Sequence, residues 1–154
     1  MSIHLKHVLL FDDDYESMLP LKEYLENTQR YLVELTAAHS IIERLRHVRF
    51  DLICVDLSIH PNGLDEENEP VDNVHYPGVN WRVTGLEFLR RLRDGHVTLY
   101  APTGTRADTP VIVISALART SMSHEPVLQQ RDIQYIEKPF DVEEVVRLME
   151  SMLG

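Results

Sequence analysis

The sequence is short of cysteine, of positive charge and of long apolar runs, and each shortage excludes something. Its single cysteine, Cys54, rules out an intramolecular disulfide and fits a reducing, cytoplasmic setting. The 15 lysines and arginines are outnumbered by 25 acids, and a formal charge of −10 repels a phosphate backbone. Nucleic acid is therefore not an expected direct partner; a metal cation or a basic protein surface is. No stretch approaches the ~18 apolar residues of a membrane span, so no membrane contact is expected either. The apolar run from Val8 to Phe11 stops at three aspartates, too soon for a signal peptide. There is no internal repeat and no low-complexity tract. What remains is 154 residues, 44% of them apolar, which suits one domain with a proper core over 1–154.

Short continuous apolar runs mark strands buried on both faces: Val8 to Phe11, Leu52 to Val55, and Val111 to Ile114. Leu32 to Ala37 and Gln134 to Glu137 complete a set of five. Helical signals alternate with them. Leu21 and Leu25 lie one turn apart, although Pro20 predicts a late start or a kink there. Capping boxes at Ser40 to Glu43 and Thr84 to Glu87 predict two helix starts, and Gly95 can close the second helix. Asp141 caps a last helix whose Val142, Val145, Val146 and Met149 share a face. The alternation predicts an α/β fold, a parallel sheet with helices on both faces. A fourth helix is expected between Thr120 and Asp132 despite Pro126. Two connections are long: an insert at 64–84, acidic early and aromatic later, and the stretch from Gly95 to Thr109, where ~2–6 residues are usual. The insert's prolines and acids predict a loop without regular structure.

In an open parallel sheet, ligands bind at the carboxyl ends of the strands. Asp12 and Asp13, Asp56, Ser115 and Lys138 are each the first polar groups after, or at the end of, a predicted strand. Any one alone is an ordinary cap or turn residue, and Asp14 suits the start of a helix better than a metal. Three neighbouring carboxylates repel unless a cation sits among them, and a hard divalent ion such as Mg²⁺ prefers oxygen ligands. With Lys138 beside it, such a cluster can neutralise a transferring phosphoryl group, and an aspartate can be the nucleophile. His4 and His7 have the spacing of a metal pair but precede a strand, and Cys54 reads as a small buried hydrophobe.

The ordered set Leu10-Phe11-Asp12-Asp13-Asp14, Asp51 to Asp56, Val111 to Ala116 and Tyr135 to Phe140 resembles the receiver domain of two-component response regulators. The resemblance implies a flavodoxin-like sheet, with Asp56 phosphorylated by a sensor histidine kinase or a histidine phosphotransfer protein. It implies Mg²⁺ held by Asp12, Asp13, Asp56 and the backbone carbonyl of Ser58. Lys138 and Ser115 would contact the phosphoryl group, and Ser115 and Tyr135 would form the switch. A stand-alone receiver is expected, since the last helix ends at Gly154. It would be no enzyme, but would act on a downstream protein target or pass the phosphoryl group on. Homodimerisation through the last helix and fifth strand is a further implied contact. The alternative is a small phosphohydrolase of the haloacid dehalogenase type with Asp12 as nucleophile, whose pattern Glu16 and the residues after Lys138 do not follow.

Overall fold

The computed structural model describes residues 4–97 and 103–154. Five parallel strands form the central sheet: β1 (Lys6–Phe11), β2 (Tyr31–Leu35), β3 (Leu52–Val55), β6 (Val111–Ser115) and β7 (Ile133–Glu137). Their order, β2-β1-β3-β6-β7, is the doubly wound flavodoxin-like order, with its switch point between β1 and β3. The period of two along each strand divides the core. Leu9, Phe11, Ile53, Val55, Val111 and Val113 face one side, with α2 (Ile41–His47) and α3 (Thr84–Arg93). Val8, Leu10, Leu52, Cys54, Ile112 and Ile114 face the other, with α1 (Tyr15–Asn27) and α4 (Val142–Leu153). Because Val8 to Phe11, Leu52 to Val55 and Val111 to Ile114 are buried, polar groups are confined to the ends of these three strands.

Several local expectations change. α1 starts directly after Asp14, whose carboxylate accepts the Ser17 N–H at 3.2 Å, so Pro20 does not delay it. Burial of Met18, Leu21 and Leu25 carries the helix through the proline. Neither predicted capping box forms. The Ser40 side chain makes no cap bond, and Glu43 pairs instead with Arg46 and His47. Val83 precedes α3, the Thr84 hydroxyl is buried with no partner among the described residues, and Glu87 pairs with Arg90 and Arg91. Asn80 caps the 3-10 turn Trp81–Val83 just before that helix. Gly95, at φ +80°, closes α3 as expected.

The fourth helix is absent among the described residues. Two 3-10 turns, Arg119–Met122 and Pro126–Gln129, occupy that stretch, with Pro126 starting the second, where its missing N–H costs nothing. Nor is the insert a structureless loop. β4 (Asn62–Leu64) and β5 (Pro70–Asp72) pair antiparallel as a hairpin. Asp65 organises its turn by accepting the Glu67 and Glu69 N–H groups, both at 2.9 Å. Part of the long connection before Thr109 lies outside the described residues. Of the rest, buried Thr105 accepts the Phe50 N–H at 3.0 Å and donates to the Val48 carbonyl at 2.7 Å, pinning the loop to the end of α2.

Candidate functional site

Asp12 and Asp13 follow β1, Asp56 follows β3, Ser115 ends β6 and Lys138 follows β7, so the topology gathers them at one edge. Carboxylate oxygens of Asp12, Asp13 and Asp56 all lie within 4.8 Å of one another. The Lys138 ammonium bridges two of them, donating to Asp12 Oδ2 at 2.9 Å and Asp56 Oδ2 at 3.0 Å. Three carboxylates against one ammonium leave two negative charges, which one divalent cation balances.

Each carboxylate is aimed by a backbone N–H. Asp14 N–H donates to Asp12 Oδ1 at 2.8 Å and Ser58 N–H to Asp56 Oδ1 at 3.1 Å, both short local turns. Asp13 differs: its Oδ2 accepts from the remote His60 N–H at 3.0 Å. The Asp56 loop is pinned on both sides, by Asp56 N–H to the Phe11 carbonyl at 3.0 Å and Gly85 N–H to the Leu57 carbonyl at 2.9 Å.

Burial pushes the Asp12 carboxyl up to about 7, helped by the Asp56 charge and opposed by Lys138. Burial likewise raises Asp13. Burial alone would lower Lys138, but the charges of Asp12 and Asp56 outweigh it and hold the ammonium protonated. Such a site suits an oxygen-preferring divalent cation, which would take the place of the proton on Asp12 and relieve the repulsion. Hard carboxylate donors are what Mg²⁺ takes, so the donor set fits the expected ion.

The structure brings Asp12, Asp13, Asp56 and Lys138 into direct contact or near it. Ser58 joins through its N–H, while its hydroxyl donates to the Arg82 carbonyl at 3.0 Å. Ser115 is buried; its Oγ accepts the Leu117 N–H at 3.2 Å and its carbonyl accepts the Lys138 N–H at 2.8 Å. Tyr135 donates to the Leu117 carbonyl at 2.8 Å, so Ser115 and Tyr135 hold the same short segment. His7 pairs with Glu34 at 2.8 Å and packs on Phe50, and the acidic cluster is the one group of three or more gathered metal ligands among the described residues. Buried Cys54, with its thiol pushed well up by burial, is the inert hydrophobe expected. Sequence reasoning missed His60 and Gly85, because a backbone N–H and an absent side chain leave no chemical signature.

No family model matches the sequence, and no curated protein matches it. Solved structures do. A CheY-like response regulator receiver domain protein from Methanospirillum hungatei superposes with a TM-score of 0.61 at 19% identity, covering 97% of this chain and 94% of that one. The fold is that of a receiver domain. The receiver domain of a sensor histidine kinase from Pseudomonas aeruginosa, with a magnesium ion coordinated in its active site cleft, gives 0.63 at 18% identity over 98% of this chain and 99% of that one. A response regulator from Burkholderia pseudomallei with a phosphorylated aspartic acid gives 0.56 at 19% identity, covering 92% of this chain and 64% of that chain. Against these receiver folds, the acidic cluster lies where the flavodoxin-like topology expects a ligand. No helix among the described residues is long and apolar enough to cross a membrane.

Proposed function

We propose that this chain is a response regulator receiver that accepts a phosphoryl group on Asp56 from a phosphohistidine of a sensor histidine kinase or histidine phosphotransfer protein. The observation that carries the reading is the Lys138 ammonium bonded at once to Asp12 and Asp56 beside a third carboxylate. Asp12, Asp13, Asp56 and the Ser58 carbonyl would hold Mg²⁺; the Pseudomonas aeruginosa domain has a magnesium ion coordinated in its active site cleft. Bound there, the ion supplies positive charge for the phosphoryl oxygens. An Asp56 carboxylate oxygen attacks phosphorus, an O–P bond forms as the donor's N–P bond breaks, and the imidazole leaves with its electron pair. Lys138 shifts its hydrogen bond from Asp56 to a phosphoryl oxygen, neutralising charge as it arrives.

Ser115 and Tyr135 form the switch in this reading. The Ser115 hydroxyl turns from the Leu117 N–H towards the phosphoryl group, loosening the segment that Tyr135 also grips. The product is a signal read by a downstream protein or passed on, from one receiver domain over 1–154, rather than an enzyme's turnover. β7 is the last strand of the sheet and lies beside α4, and these would be the surface for a homodimer. A hydrolase with Asp12 as nucleophile uses the less accessible carboxylate, 1% exposed against 7% for Asp56, and no observation favours it.

The test is mass spectrometry after incubation with Mg²⁺ and acetyl phosphate. One phosphoryl group is expected on Asp56, and none in Asp56→Asn. Labelling of Asp12 in that variant would replace the receiver reading with the hydrolase.

A further inference from the structure

We propose that Asn73 is a positioning residue for Asp13, and that through it the β4–β5 hairpin sets the affinity of the acidic cluster for a divalent cation. The inference rests on the cluster being a cation site. Asp12 and Asp56 are aimed by N–H groups two residues further along, so each orients itself locally. Lys138 also holds Asp12 and Asp56, but Asp13 alone takes its backbone donor from a different segment, the His60 N–H. Whatever fixes the His60 backbone therefore fixes one cation ligand out of three.

Asn73 grips that backbone twice. Its side-chain Nδ2 donates to the His60 carbonyl at 2.9 Å, and its own N–H donates to the Pro61 carbonyl at 3.0 Å. The amide cannot be turned round, because Oδ1 would then face a carbonyl oxygen. Asn73 is itself immobilised at the foot of the hairpin: the Asp72 carbonyl accepts the His39 N–H at 2.8 Å, and the Val74 N–H donates to the Ala37 carbonyl at 2.9 Å. A Cβ on Gly63 would stand 2.7 Å from Nδ2, so the opposite strand of the hairpin is shaped to admit the amide.

The placement also has a cost. Asn73 is only 1% exposed and its Oδ1 is buried with no partner among the described residues. Burying an unpaired amide oxygen is unfavourable, and an apolar residue would fill the space without that cost. The donor half of the amide must supply something an apolar residue does not, and its acceptor is the carbonyl of His60, the residue whose N–H aims Asp13. By reciprocity, a cation that orders Asp13 must also tighten His60 and Asn73. The hairpin and the cation site are thereby one coupled unit, and a partner grasping the hairpin would alter cation affinity.

The experiment uses the full chain and Mg²⁺ alone, with calorimetric titration of wild type, Asn73→Ala, Asn73→Leu and, on the exposed side of the hairpin, Leu64→Ser. Outer-sphere contacts of this kind typically change metal affinity by about 10-fold or more when removed. Both Asn73 variants should therefore bind about tenfold more weakly, with Leu64→Ser unchanged. A measurement on the wild type needs no variant to fold: Mg²⁺ should slow amide hydrogen exchange at His60 and Asn73. Wild-type affinity in both Asn73 variants, or exchange at those two amides indifferent to Mg²⁺, overturns the proposal. A wild type that binds no Mg²⁺ overturns the cation site and this inference with it.

Discussion

Gly85 is the second residue of α3, and the face where it lacks a side chain lies on the backbone that carries Asp56. A Cβ built there would stand 2.8 Å from Leu57 Cα and 2.9 Å from the Asp56 carbonyl carbon, and closer still to the Asp56 carbonyl oxygen. Carbon atoms pack best at about 3.5–4.0 Å, so Gly85→Ala must open this gap by roughly 1 Å. Replacing glycine by alanine within a helix ordinarily gains about 1 kcal/mol. Overpacking costs about 1–3 kcal/mol where side chains can yield. Here the obstacle is main chain, bonded to both Phe11 and Gly85, so the upper end of that range applies. The difference is a net loss of about 2 kcal/mol, or roughly 4–8 °C in Tm for a domain of this size. Thermal unfolding in EDTA reads it directly. Because the strain falls on Asp56, the variant should also take a phosphoryl group from acetyl phosphate more slowly. Gly78→Ala is the control: Gly78 sits at φ +76° and a Cβ there would meet nothing within 4 Å among the described residues, so only backbone strain of about 1–2 kcal/mol is expected, with labelling unchanged. A Gly85→Ala protein that melts at or above wild type refutes the close-packing argument.

Acidity gives a second prediction. Folding without a cation raises the Asp12 carboxyl from 3.8 to about 7, so the folded state holds the proton more tightly than the unfolded chain. That contribution to stability is present below about pH 3.8 and lost as pH rises through about 7, so Tm in EDTA should fall between pH 5 and 8 and saturating Mg²⁺ should flatten the slope. Mg²⁺ affinity itself should rise up to tenfold per pH unit and level off above about 7; an affinity independent of pH would show that no proton is displaced. The switch gives a third: beryllofluoride with Mg²⁺ should shift NMR signals of Ser115, Leu117 and Tyr135, and changes confined to the Asp56 loop would show that the segment they share is not coupled to the site.

The sheet was legible because β1, β3 and β6 must be apolar on both faces, which writes them into the chain as unbroken runs. The polar residues that end those runs were legible for the same reason. Helix starts were not. Ser40 and Glu43 carry the pattern of a capping box, but Arg46 and His47 on the next turn offer Glu43 a better partner than the backbone does. The expected fourth helix failed on Pro126, which breaks its middle but suits the first position of a 3-10 turn. The hairpin was invisible because three-residue strands are too short for a period of two to register, and Pro70 reads as a breaker although it is tolerated on an unpaired edge.

What stayed hidden in the site has one physical cause. Side chains announce themselves in a sequence, whereas the groups that aim Asp12, Asp56 and Asp13 are the N–H groups of Asp14, Ser58 and His60, which any residue except proline supplies. For the first two the position is still implied, since an aspartate bonding two residues ahead is a common local turn. For Asp13 the donor residue lies 47 residues away, and its carbonyl is held by Asn73, where the chain returns from the hairpin. A resemblance carried by strand-end residues therefore recovers the carboxylates and the lysine but is silent on the hairpin, whose return brings Asn73 onto the residue that aims Asp13.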